Sequence, residues 1–516
     1  MGSMMSNVTG PTGSIGPTGF TGPTGTAGIT TVEYNAGGSG AIDRSINDKL
    51  KDSINVTDFG AVGDGLTDDT QAFIDTMNFI GTGTIYFNKK HLIDINLTVP
   101  PGITLKGAYE FPGIATHNLM APYGNMSALI INPTATIYLG GGSGITGALL
   151  YRKGMIFPEN DATAFSGTAV TAQGDDCFLN HCMVLGFNKV YYSTGFQRPI
   201  LHTVKFDCIH GIDIHACFDV GYITECHGWP FAVIGSGSSQ FKRSGTAYHF
   251  SDGFDWGKVT NCFSYAYLVG LWIHSCGAMT VTGCGFDSTG NYPGQLGVYI
   301  DGTSQDNRFT LCQAAAQESG YVLNTSAGFN THFLNCDSWA CTDNGMVIMS
   351  GDAVIVGGIH RNTTTGIAIT NSTSHVSVDD VTFSGLTYLP FNAMAPNTNI
   401  HIGNNYYSNH ANGVPVIGNN KLIKSIPSAE PLLVSTDPIL MVTGNNNIST
   451  INGGYAGQQL TLLFNGNLTV KQDRKILLNL LEVHGEPLMN FFKISKEKPL
   501  VEIKSYKEQF FNFNFN

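Results

Sequence analysis

The sequence predicts an all-β protein whose body is a parallel β-helix, a solenoid of about 22 residues per coil. The first observation is a recurring apolar column: Cys182, Val204, Cys226, Cys262, Cys284, Cys312, Cys336, Gly358 and, more loosely, Asp380. Successive members lie 22, 22, 36, 22, 28, 24, 22 and 22 residues apart, so the longer steps are one coil plus an insertion of 14, 6 or 2. Secondly, several beats run into Asn or Gly just before the column, and a later glycine (Gly270, Gly297, Gly320, Gly345, Gly366) opens another short apolar run. Two or three strands of about five residues, plus corners, fill one such coil. Thirdly, only 12% of residues are charged and 63 are Gly, while Val, Ile, Thr, Phe and Tyr fill the runs. That composition suits stacked coils and poorly suits an α/β enzyme.

With 516 residues the chain holds one long domain plus appendages. A net charge of −12 argues against nucleic acid as a partner but leaves both neutral and acidic glycans open. No apolar run reaches the ~18–20 residues of a membrane span, and the chain opens without a secretory leader. Most of the 11 cysteines fall in the inward column and read as small buried hydrophobes. They line up in a row and include no CxxC pair, so neither zinc nor a disulfide framework is expected, which points to folding in a reducing compartment. No metal or cofactor is expected.

From the N-terminus, Gly stands at 10, 13, 16, 19, 22, 25 and 28, often between Pro-Thr pairs, so residues 1–40 read as a collagen-like Gly-X-Y segment with a linker. A Gly/Pro linker alone remains the other reading. So short a repeat would sit on a trimer that other segments hold together. Residues 41–53 read as an amphipathic helix with Ile42, Ile46 and Leu50 on one face, a neck in a threefold assembly. The run from Ile54 to Phe73 follows, with Gly60, Gly63 and Gly65 in a tight turn and Thr67 or Asp68 placed to N-cap a helix carrying Ala72 and Phe73.

This block, with its preceding neck and the later runs at 83–87 and 101–107, resembles the opening of pectate-lyase-like right-handed β-helices, above all those of bacteriophage tailspike depolymerases. The resemblance implies a right-handed, homotrimeric β-helix over 54–395, with Asp64, Asp68 and Asp69 as turn and cap residues. It also implies a small C-terminal β domain over 396–470. It further implies a bacterial surface polysaccharide as substrate, a phage tail or another tail protein bound through the N-terminal segment, and a place on the virion, acting outside the host cell. Residues 471–516 depart from the pattern and read as an atypical, poorly ordered tail.

Chemistry on a solenoid is read across coils. Three positions past the column stand Asp207, Trp229, Tyr265, Asp287, Ala315, Trp339 and Arg361, an outward row in which rings can stack on sugar faces. The long insertion between Cys226 and Cys262 adds Lys242, Arg243, His249, Asp252, Asp255 and Trp256, and long loops on rigid scaffolds are where sites are built. Asp252, Asp255, Asp287 and Glu318 are the candidate catalytic acids. Coils ~4.8 Å apart can set two carboxylates ~5–10 Å from each other, the span of retaining and inverting glycosidases. Glu225, Asp337 and Asp343 stand behind them. Trp229, Arg243, His249, Trp256, Tyr265 and Trp339 are the candidate substrate-binding residues. Hydrolysis by paired carboxylates is the leading expectation. Elimination would use His227, His249, Lys242 and Arg243 instead. A non-enzymatic receptor-binding fibre, or a bacterial collagen-like surface protein, stays open.

Overall fold

The computed structural model describes residues 32–108, 127–156, 159, 162–233, 242–290, 293–393, 399–403 and 405–408, and beyond these the strands that lie between 424 and 515. The Gly-X-Y repeat lies outside the described residues. The chain divides into two units, Met1–Ile54 and Asn55–Asn516.

In the first unit Glu33–Tyr34 pairs antiparallel with Arg44–Ser45, and a helix follows over Ile46–Leu50. The helix expected over 41–53 is therefore shorter, and the reason is local. Ser45 accepts the Asp48 amide at 3.1 Å, an N-cap that fixes the start of the helix. Arg44 belongs to the strand pair and grips both carboxylate oxygens of Asp52 at 2.8 Å.

The second unit opens with Asn55 and Asp58 closing a capping box on a short turn that ends at Gly60, φ 90°. Each of the three following acids holds backbone. Asp64 accepts the amides of Leu66 and Thr67, and Asp68 accepts that of Thr70 at the start of the helix Thr70–Ile80. The buried Asp69 accepts the amides of Val62 and Gly63 and bonds His91 at 2.8 Å. Ala72, Phe73 and Met77 of the helix are buried in the main core.

Twelve strands, from Leu97–Val99 to Leu389–Ala393, then stack in parallel as one sheet. Two ladders of shorter strands complete each coil. Lys258–Thr260 lies between Tyr222–Thr224 and Thr280–Thr282 in one ladder, and Phe263–Tyr265 between His227–Gly228 and Gly285–Asp287 in the other. The solenoid is thus present as expected, and all 11 cysteines are unpaired and buried.

The corner before the cysteine column explains the Asn and Gly found there. Thr203, Glu225, Asn261, Leu311, Asn335 and Asp380 all have φ between 51° and 56°, the left-handed region in which Asn and Gly are least strained. Asp380 is therefore a corner residue, and the apolar column runs through the buried Val381 instead. Parallel pairing also continues past residue 395, through Ile400–Ile402 and Tyr406–Ser408. Farther on, Lys424–Pro427, Ile439–Thr443, Gln459–Asn465, Gln509–Phe515 and Ile476–Asn479 form a five-stranded sheet in that order. Two of those strands come from the stretch expected to be a poorly ordered tail. The alternation of Phe and Asn from Phe511 to Phe515 is the period-2 signal of a strand.

Candidate functional site

Successive residues of a strand face opposite sides of the sheet. In the twelve-stranded sheet, Tyr191, Ile212, Tyr248, Leu271 and Val298 form an inward column and are fully buried. The next residue of each strand faces outward, giving the column Tyr192, Asp213, His249, Trp272 and Tyr299. Two residues farther along, His215, Ser251, His274 and Asp301 form a second outward column. Together they make a ledge of rings and titratable groups across five coils.

Asp213 is its hub. His215 Nε2 and His249 Nδ1 reach the same Asp213 oxygen, at 2.7 Å and 2.8 Å, while the Lys189 ammonium bonds the other. Burial opposes ionisation of Asp213, but the hydrogen bonds from His215, His249 and Lys189 outweigh it and hold the carboxyl well below the usual range. Lys189 also lies 4.5 Å over the Tyr192 ring. His249 stacks on Trp272 at 4.6 Å. A second pair sits two strands on, where His274 Nδ1 and Trp272 Nε1 both donate to Asp301, at 2.8 Å and 3.0 Å.

Asp213, His215 and His249 have ligand-type atoms within 4.8 Å of one another. A divalent ion there would face the Lys189 ammonium already held by Asp213, and both imidazoles already donate to that carboxylate. The arrangement suits proton transfer better than metal binding.

The ledge runs into a cleft of about 510 Å³ lined in part by Phe218, Asp252, Asp255, Trp256, Thr303 and Asp306. Asp252 joins the two: Ser251 donates to it at 2.8 Å, and His215 Nδ1 lies 2.5 Å from Ser251 and 3.8 Å from Asp252. Asp255 accepts the Gly277 amide of the next coil at 2.7 Å, and the Trp256 side chain is exposed.

Of the four expected acids, Asp252 and Asp255 therefore share one cleft. Asp287 lies on the short-strand ladder beside Tyr265, where burial pushes its carboxyl up. Glu318 accepts the Gly294 amide at 2.6 Å. Among the described residues no hydrogen bond joins this second pair to the first. The expected outward row is a real column, but its rings pack on neighbours: Trp229 stacks on Tyr265 at 4.4 Å, and the Arg361 guanidinium lies 5.3 Å over Trp339.

Asp207 and Arg243 depart from expectation. Both are fully buried and ion-paired, with Arg243 Nε and Nη2 on one Asp207 oxygen at 2.8 Å and 2.5 Å. The other oxygen accepts the amides of Ala232 and Val233. Arg243 thus anchors the insertion and is not available to a substrate. His227 is likewise inside, wedged among Phe231, Trp229 and Phe263, and burial lowers its pKa to about 4. Glu225 is a corner residue, Asp337 accepts the Ile359 amide, and Asp343 pairs with the Asn344 side chain.

No protein-family model matches the chain. A stretch of 82 residues, 16% of this chain, is 40% identical to a capsule K30/K69-specific depolymerase of Klebsiella phage K64-1. The chain resembles a phage tailspike depolymerase. It spans about a tenth of that relative's length. Among solved structures, the tailspike of Escherichia coli bacteriophage HK620 is 10% identical with a TM-score of 0.44, covering 87% of this chain and 85% of its own. The A-module of the Azotobacter vinelandii mannuronan C-5 epimerase AlgE4 is 13% identical with a TM-score of 0.39, covering 71% and 99%. Both likenesses are loose, and the β-helix rests on the strand pairing described above.

Proposed function

We propose that the chain is a phage tailspike depolymerase that binds a bacterial surface polysaccharide along its outer face and cleaves it. The observation that carries this reading is the joined ledge and cleft. The exposed Trp256 offers a ring face to sugars, Trp272 and Tyr299 add outward aromatic surface, and oriented carboxylates and imidazoles stand among them. The stretch shared with a capsule depolymerase supports it. On this reading the N-terminal segment attaches the protein to a phage tail, three copies assemble, and the work is done at the host surface. Exposed Ile42 and Leu50 offer apolar contacts to the other copies. Hydrolysis by paired carboxylates would fall to Asp252 and Asp255.

The test is size-exclusion chromatography of capsular and O-antigen polysaccharides after incubation with the full chain, beside the Trp272→Ala variant. The expected result is shortened chains, with glycan affinity down about tenfold in the variant, which is ~1.4 kcal/mol. Tight binding with no shortening of any polysaccharide would overturn the depolymerase reading and leave a receptor-binding fibre.

A further inference from the structure

We infer that His249 and His274 are the acid–base pair of this site, and that they cleave a uronate-bearing polysaccharide by elimination; this rests on the depolymerase reading above. Each imidazole is fixed through Nδ1 by a carboxylate, Asp213 for His249 and Asp301 for His274. A carboxylate can only accept, so each Nδ1 carries a proton. Each Nε2 has no hydrogen bond among the described residues and is the atom left for proton exchange. The two residues sit on neighbouring strands, two positions out of register, which separates their Cβ atoms by about 7–8 Å. That is the span of one sugar ring and its glycosidic oxygen. Trp272 packs against both rings, at 4.6 Å and 6.4 Å, and locks the pair in place.

Their surroundings differ in a way that divides the labour. Beside His249 stand Asp213 and the Lys189 ammonium that shares it, so a sugar carboxylate drawn to Lys189 brings its neighbouring C–H to His249. His274, one coil on, shares one Asp301 oxygen with Trp272 Nε1 and is left to face the departing oxygen. His249 Nε2 takes the proton from the carbon next to the sugar carboxylate. The electron pair left behind forms a carbon–carbon double bond, and the glycosidic C–O bond at the adjacent carbon breaks. His274 gives its Nε2 proton to the departing oxygen. Atoms and charge balance without water or any co-reactant. The chemistry requires a carboxylate on the sugar, because only then is that C–H acidic. The partly open Lys189 ammonium supplies the charge to meet it.

The experiment follows reducing ends and the ultraviolet absorbance of an unsaturated uronate in parallel. Its probes are uronate-bearing capsular polysaccharides and the same polymers with their carboxyls reduced to alcohols. The inference expects both signals to grow together on the native polymers and neither on the reduced ones. His249→Gln and His274→Gln should each lower the rate by ~10²–10⁴-fold, with melting temperatures unchanged. Reducing ends without absorbance would overturn elimination and leave the depolymerase reading standing. Absorbance that survives in both variants would overturn the assignment of the histidines. Absence of either product from every polymer would overturn both readings.

Discussion

Replacing Arg243 with Leu tests whether the long insertion is held by its buried ion pair. In the native protein Asp207 accepts four hydrogen bonds with no exposure to water: two from the Arg243 guanidinium and two from the amides of Ala232 and Val233. Arg243→Leu removes both bonds to one oxygen and all of the compensating charge. Breaking one side of such a pair costs about 3–5 kcal/mol, because the remaining charge stays buried. Removing both charges, in Asp207→Asn with Arg243→Leu, should recover roughly half of that cost. The Asn oxygen can still accept both backbone amides, and its buried NH2, left without an acceptor where the guanidinium stood, accounts for ~1–3 kcal/mol. Urea unfolding monitored by fluorescence measures the global change, and hydrogen exchange at the amides of Ala232 and Val233 reports the local one. A single variant within ~1 kcal/mol of native, with those amides still protected, would refute the argument. So would a double variant less stable than the single one.

Two further outcomes follow from the coils. Gly358 stands where most coils carry Cys, so a repeat-based design would restore Cys there. Gly358→Cys should instead destabilise by at least ~1–3 kcal/mol, because φ is 88° and a Cβ would lie 2.1 Å from the Cys336 carbonyl oxygen; a midpoint at or above native in urea would contradict this. His360 is fully buried, and burial lowers its pKa to about 4. Its folded value lies below the unfolded value of ~6.5, so the stability it contributes is complete above ~6.5 and is lost as pH falls towards 4. His360→Phe, which keeps a ring next to Phe383, should flatten the acid limb of a stability–pH curve by up to ~1.4 kcal/mol per pH unit, and an unchanged slope would count against it.

The joining of ledge and cleft also bears on how the two candidate chemistries can be separated. Asp252 and Asp255 belong to the cleft, whereas His249 and His274 belong to the ledge, and Ser251 with His215 connects them. On the proposed reading, loss of cleavage confined to the Asp252 and Asp255 variants would point to hydrolysis, and loss confined to the His249 and His274 variants to elimination.

The 22-residue beat by itself determined the solenoid. Apolar residues at that period can be buried only by stacking coil on coil, and the Asn or Gly before several of the beats marks a left-handed corner that those residues adopt with least strain. The same beat contained more than was read from it. The steps from Asp213 to His249, Trp272 and Tyr299 are 36, 23 and 27 residues, each within one of the 36, 22 and 28 of the cysteine column, which is the signal that could have found the ledge. What it could not supply is which outward groups remain open. Arg243 and Asp207 look like a surface cation and a surface acid in the sequence, and only packing under the insertion made them a buried anchor. Trp229 and Tyr265 were legible as an outward column, but their stacking on each other was not. Asp213 lies on an ordinary-looking strand, and it became a hub because residues 24 and 36 positions later, or earlier, in the chain are one coil away in space. Local period sets where a side chain points; what it meets there is decided by insertions and neighbouring coils, which is tertiary information.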